Sequence, residues 1–202
     1  MAKVIAYRRL QLYFGLKSKG WNRYLWLNVQ ALALNLLKPS QTLVHTKYFT
    51  SRISAPADKV KRQNTYIEAL DTLTDFSIFY GKYQMNTATC RQCGFIQSVP
   101  QEKMTDVNIA VELMQDVFQD SFDTAVLISA DSDLVGPVAA VERLFPNKRV
   151  VVGCPPDRFS TNLTRTANAY FTIDRGPIAR SLFPDRVTSR SGFVLQRPEP
   201  WK

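Results

Sequence analysis

The stretch that most limits what this chain can become is Thr124 to Pro137, T-A-V-L-I-S-A-D-S-D-L-V-G-P. Ala125 to Ile128 is an unbroken apolar run, the pattern of a short strand buried on both faces of a parallel sheet. It stops abruptly in Ser129-Ala130-Asp131-Ser132-Asp133, so two carboxylates stand where a buried strand ends. In open α/β sheets, ligands bind outside the carboxyl ends of the strands. Asp131 and Asp133 are close enough in sequence to face one cation, and Asp133 can also cap a helix over Leu134 to Leu144. Asp and Ser are also ordinary turn formers, so a turn plus a cap explains the same residues without a ligand.

The rest of the chain alternates in a matching way. Val4 to Tyr7 reads as a first strand, Leu43 to Thr50 as a second and Phe76 to Gln84 as a third, with Arg149 to Gly153 and Phe171 to Ile173 as further short strands. Helical spacing covers Asn28 to Leu37, Ala57 to Leu73, the segment from Asp106 through Phe118, and Ser160 to Ala169. Strands and helices alternating in this way predict an α/β fold: a doubly wound, mainly parallel sheet with helices on both faces. Met85 to Pro100 is turn-rich and polar, an excursion from that scheme. The Pro- and Arg-rich segment 177–202 predicts an extended basic arm on a domain of residues 1–176. Lys59, Lys61 and Arg62 lie near the start of a helix, where cations oppose the dipole, a position that suggests solvent or a ligand.

With 202 residues, 45% of them hydrophobic, the chain can bury one substantial core. No apolar run approaches the roughly 20 residues that span a bilayer, and the N-terminus lacks a signal-peptide layout. Together with three cysteines that have no framework spacing, this predicts a cytoplasmic protein with no membrane partner. The net charge of +9 favours a polyanionic partner such as RNA, because binding phosphates releases counterions. Part of that excess sits in the C-terminal segment, where a solvated tail accounts for it.

Three segments taken together, Tyr13-Phe14-Gly15, Glu102-Lys103-Met104-Thr105-Asp106-Val107-Asn108-Ile109-Ala110 and Ser129-Ala130-Asp131-Ser132-Asp133-Leu134, resemble the NYN family of PIN-like domains. The resemblance runs from Lys3 to about Ile173. It implies a small α/β sandwich, acidic residues gathered at the carboxyl edge of the sheet around divalent metal, and metal-dependent cleavage of RNA. Carried over by position, Asp106, Asp131 and Asp133 become the metal-facing, catalytic carboxylates, with Ser129 and Asn108 lining the site. Oxygen ligands without histidine suit Mg²⁺ or Mn²⁺. Such a metal could orient hydroxide in line with a phosphodiester and neutralise the developing charge. Without it, three carboxylates in one place would repel one another.

Members of that family usually end their first strand in Asp-Gly-x-Asn, whose Asp is a principal metal ligand. Here the place reads Arg8-Arg9-Leu10-Gln11, and a guanidinium would stand where the metal belongs, since arginine keeps its proton. Taken literally, that predicts a weak or silent nuclease, or an RNA-binding module. One set of codons for these residues, CGA-CGG-CTT-CAA, contains one register over GAC-GGC-TTC-AA, which encodes Asp-Gly-Phe and, with a following pyrimidine, Asn. Both flanks follow the family pattern, so a compensated pair of indels over an original Ile-Asp-Gly-Phe-Asn explains the stretch. True divergence to an inactive binder is the alternative.

Cys90-x-x-Cys93 is half of a zinc site, because a closed structural site takes four ligands. A homodimer would supply two pairs; a redox dithiol or a purely structural role are the alternatives. Tyr7, Tyr13, Phe14, Trp21, Tyr24 and Trp26 could stack on unpaired bases, although core packing is the commoner use. Arg158 and Ser160 precede a helix, where a phosphate could bind or where Ser160 is a plain N-cap. Proteins resembling this family are also assigned as NADH-dependent hydroxylases of hydroxypyridine-type compounds. For that chemistry the sequence has no G-x-G-x-x-G fingerprint, no flavin motif and only one histidine.

Overall fold

Each apolar run becomes a strand, and the periodic mixed segments between them become helices. The computed structural model describes residues 1–8 and 11–202. Along the chain run β1 (Ala2–Arg8), α1 (Gln11–Ser18), α2 (Val29–Leu36), β2 (Gln41–Thr50), α3 (Ala57–Asp71), β3 (Phe76–Tyr80), β4 (Lys82–Thr89) and β5 (Ile96–Lys103). There follow α4 (Thr105–Phe118), β6 (Thr124–Ile128), α5 (Val135–Leu144), β7 (Arg149–Cys154), α6 (Thr161–Thr166), β8 (Ala169–Thr172), α7 (Arg175–Ala179), β9 (Arg186–Thr188) and β10 (Val194–Gln196). Six strands form one parallel sheet in the order β3-β2-β1-β6-β7-β8. The chain winds outward from β1 through β2 to β3, then outward on the other side from β6 through β7 to β8. Winding therefore reverses between β1 and β6, the place where an α/β sheet opens a crevice at its carboxyl edge. Arg8 ends β1 directly across from Ile128, which ends β6. Arg9 and Leu10 of the expected first-strand motif lie outside the described residues.

Alternate sheet residues serve two cores. Val4, Tyr48, Val126 and Ile128 face α1, α2 and α3, whose Leu12, Leu16, Leu32, Tyr66 and Leu70 complete the first cluster. Ile5, Tyr7, Phe49, Ala125 and Leu127 face α4 and α5, whose Ile109, Leu113, Val138 and Val141 complete the second. In the second layer β2 also points a cation inward. Lys47, only 7% exposed, donates to Glu112 at 2.7 Å and to Asp116 at 2.8 Å, and the Tyr7 hydroxyl donates to the same Asp116. Burial, then the Asp116 charge, push the Tyr7 phenol far above its ordinary value, so it stays a donor. This network fastens α4 to β1 and β2.

Three expectations are corrected by the structure. The predicted third strand breaks at Gly81, where a Cβ would come within 2.6 Å of Lys103 O, Ser51 Oγ and Thr105 Oγ1. That close approach brings the β3–β4 junction against the β5–α4 junction, and the excursion is an antiparallel ribbon of β4 and β5. The C-terminal segment is not an extended arm. It makes the β9–β10 hairpin, and Trp201 packs 6.4 Å from Trp26 and 5.9 Å from Tyr66, because Phe183, Leu195 and Trp201 supply burial that the Arg and Pro content obscures. α1, absent from the sequence reading, forms because Leu12 and Leu16 lie one turn apart on a buried stripe. Among the described residues no helix is long and apolar enough to cross a membrane.

Lys47→Met would leave Glu112 and Asp116 facing each other in the interior without a cation. We expect urea denaturation to show a loss of about 3–5 kcal/mol. A loss below about 1 kcal/mol would mean that the network does not fasten α4.

Candidate functional site

Every residue of β6 is buried, and after Thr124 at its start the next polar side chain comes only as the strand ends. Ser129 is itself buried, and its hydroxyl accepts the Asp131 N–H at 3.2 Å. Asp131 Oδ1 accepts the Asp133 N–H at 3.1 Å and so caps a 3-10 turn over Ser132–Leu134 that runs into α5. The cap expected at Asp133 thus falls at Asp131. The turn starts one step earlier than an α-helix would, anchored by buried Leu134, and leaves Asp133 exposed.

α4 packs on this turn, as does α6. Asp106 lies in the first turn of α4, half-buried, with Oδ1 shielded from solvent. The chain enters α4 through Met104, a non-glycine residue at φ 72°. Glu102 holds that corner: its Oε1 accepts from Thr105 Oγ1 at 2.7 Å and from Ser51 Oγ at 3.0 Å. This role was missed in sequence, where Glu102 is only a motif letter. Asn108 Nδ2 donates to Tyr80 O at 3.2 Å, at the end of β3. Arg158 is exposed in the loop after β7, and Ser160 caps α6 through the Leu163 N–H at 3.4 Å, as a plain N-cap does.

The carboxylates Asp106, Asp131 and Asp133 therefore come from adjoining elements at the carboxyl edge. Among the described residues no group of three or more His, Cys, Asp or Glu side chains gathers closely enough to hold a metal ion. Of the six aromatics expected near a cleft, Tyr7, Tyr24 and Trp26 are buried in packing, whereas Phe14 is exposed and Tyr13 half-exposed.

Cys90 and Cys93 sit at the tip of the β4–β5 ribbon, both exposed and free. The Cys90 N–H donates to Phe95 O at 2.8 Å, and the Gly94 N–H donates to Cys90 O at 2.9 Å, with Gly94 at φ +69°. The Cys93 N–H, then the Gln92 N–H and the Cys93 thiol, pull the Cys90 thiol below its ordinary value. The other soft ligands lie in different surroundings. Cys154 is buried, which pushes its thiol up, and His45 pairs with Ser77 Oγ at 2.9 Å, its imidazole held down by burial and then by Lys47.

The NYN domain family matches this chain over residues 18–174. A curated relative, 6-hydroxy-3-succinoylpyridine 3-monooxygenase HspA of Pseudomonas putida, is 26% identical over 77% of the chain. The chain spans 56% of that protein's length. The crystal structure of a protein of unknown function from Vibrio parahaemolyticus superposes with a TM-score of 0.54, covering 90% of this chain and 96% of that one at 16% identity. That likeness is one of fold.

The cap at Asp131 separates structural from chemical effects. Asp131→Asn keeps an N-cap acceptor and is expected to change unfolding free energy by less than about 0.5 kcal/mol, whereas Asp131→Ala is expected to cost about 1 kcal/mol. Equal losses in chemical denaturation would show that the cap is not what holds the turn.

Proposed function

We propose, from the premise that this chain belongs to the NYN domain family, that it is a divalent-metal-dependent ribonuclease acting at the carboxyl edge of the sheet. The observation that carries this reading is the placement of Asp131 and of the Asp106 helix where the winding reverses between β1 and β6. The donor chemistry fits Mg²⁺ or Mn²⁺, which take hard oxygens and need only one or two carboxylates because they keep several waters. Asp106 and Asp131 would hold the ion, with exposed Asp133 beside them. When bound, it would supply an activated water and charge neutralisation at the phosphodiester.

The chain's own residues do the positioning. The Ser129 hydroxyl and the Asp133 N–H orient Asp131. Lys47 and Glu102 fix the two ends of the segment that carries Asp106. The net charge of +9 draws RNA, and exposed Arg158 stands beyond β7 to meet a phosphate. By the resemblance, Arg8 occupies the sequence position where the family carries its first-strand Asp, so the chain as written would be a weak nuclease or a silent RNA-binding module.

The curated relative's activity favours a second reading, NADH-dependent hydroxylation of a hydroxypyridine-type ring. The chain spans about half that relative's length and has no dinucleotide fingerprint to support it. Cys90 and Cys93 offer two of the four ligands of a closed zinc site. A second copy of the ribbon would supply the rest and make the protein a homodimer. Free exposed thiols suit the cytoplasm.

Two measurements test these statements. Labelled single-stranded and hairpin RNAs with Mn²⁺ or Mg²⁺ are incubated with the chain as written, with Arg8-Arg9-Leu10-Gln11 replaced by Asp-Gly-Phe-Asn, and with that restoration carrying Asp131→Asn. Cleavage is expected on restoration, falling at least about 100-fold with Asp131→Asn. Salt-sensitive binding without cleavage by any of the three would leave the RNA-binding module; neither cleavage nor binding would turn the question to NADH-dependent turnover. Separately, metal analysis with light scattering is expected to find one zinc ion for every two chains, with zinc and dimer both lost in Cys93→Ser. A zinc-free monomer would refute the shared site.

A further inference from the structure

A cavity of about 240 Å³ opens between α1, α3, β2, β4 and the C-terminal turn. Its floor is aromatic. Tyr48 of β2 and Tyr66 of α3 meet edge to face with ring centroids 6.3 Å apart, and Tyr66 meets Trp201 in the same way at 5.9 Å. Tyr13, Phe14 and Tyr83 stand around the mouth, and burial followed by the nearby Glu102 charge pushes the Tyr83 phenol up, so its ring stays neutral. A purely structural aromatic cluster would close on itself; this one leaves a hollow.

Among the described residues, three cations, Lys17, Lys59 and Arg62, line the same cavity, and none of its lining residues is a carboxylate. Arg62 is held by Asp58 at 2.7 Å, an exposed pair that neutralises it weakly. Lys17 lies 5.6 Å from the Tyr13 ring, and among the described residues neither Lys17 nor Lys59 pairs with a carboxylate. Lys59 and Arg62 sit in the first two turns of α3, against the helix dipole. An anion in the cavity would offset that cost.

We infer that this cavity is a binding site for a planar aromatic ring carrying an anionic group. The ring stacks on the tyrosine and tryptophan floor, and Lys17, Lys59 and Arg62 take the anion at the mouth. The volume is below the roughly 300–1,000 Å³ of drug-sized sites, which limits the ligand to one ring system with short substituents. Tyr48 lies across from Arg8, and Arg8 across from Ile128, so the floor is two strand spacings, roughly 10 Å, from the Ser129–Asp133 turn. Two sources share the required chemistry: an unstacked nucleotide of an RNA held at that edge, and a free aromatic carboxylate. The inference goes beyond the nuclease reading and does not depend on it.

Titration calorimetry without metal tests it, with adenosine monophosphate and a pyridine carboxylate as ring anions, adenosine and the pyridine carboxamide as neutral counterparts, and inorganic phosphate as the ringless control. At least one ring anion is expected to bind, at least about tenfold tighter than its neutral counterpart and than phosphate. Lys59→Met, at an exposed position that leaves folding intact, is expected to weaken it about tenfold, and Ile53→Trp, which fills the cavity from its wall, to abolish it. Binding of the nucleotide alone identifies RNA as the source; binding of the carboxylate alone identifies a free ring acid. The inference is overturned if no ring anion binds, if neutral rings bind as well, or if the affinity survives both variants. Cleavage is not read, so failure of the nuclease reading leaves this result intact.

Discussion

A strand with no exposed side can exist only in the middle of a sheet that is covered on both faces, and β6 imposes that requirement on everything around it. Helices α1, α2 and α3 must close one face and α4 and α5 the other, and the crossovers that place them there make the sheet parallel. From Ala125 to Ile128 the strand has only apolar side chains. Polar chemistry returns where β6 stops, and Ser129, Asp131 and Asp133 occupy that place.

The second constraint is how α4 is held. Lys47, Glu112, Asp116 and Tyr7 form a buried charged network that a well-packed apolar cluster could replace without loss of stability. What a charged, hydrogen-bonded contact adds is direction, because its geometry admits few alternatives. Glu102 does the same at the entry to the helix, gripping Ser51 and Thr105 where Gly81 lets two chain junctions touch. Asp106 lies between these two anchors, so its position relative to the capped Asp131 turn is set by contacts on either side of it.

The other face of the sheet is shaped by two additions to the doubly wound pattern. The β4–β5 ribbon supplies Tyr83 and the C-terminal turn supplies Trp201 to the aromatic cavity, whose other walls come from α1, α3 and β2.

Much of this was legible in the sequence, for local reasons. The buried strand at Ala125 to Ile128, the alternation of elements and the start of α4 follow from periodicities read within a dozen residues, and the acidic stop after Ile128 follows from the turn that any such strand needs. The three-part resemblance pointed to the family that matches residues 18–174. Tertiary structure alone decided which residue caps the turn, that Phe76 to Gln84 breaks at Gly81, and that the basic C-terminus folds back. It also joined Tyr7 to Asp116 across 109 residues and Lys47 to Asp116 across 69. Such pairings depend on which distant faces the chain brings together, and a sequence window carries only the periodicity of its own face, not the identity of the surface that will cover it.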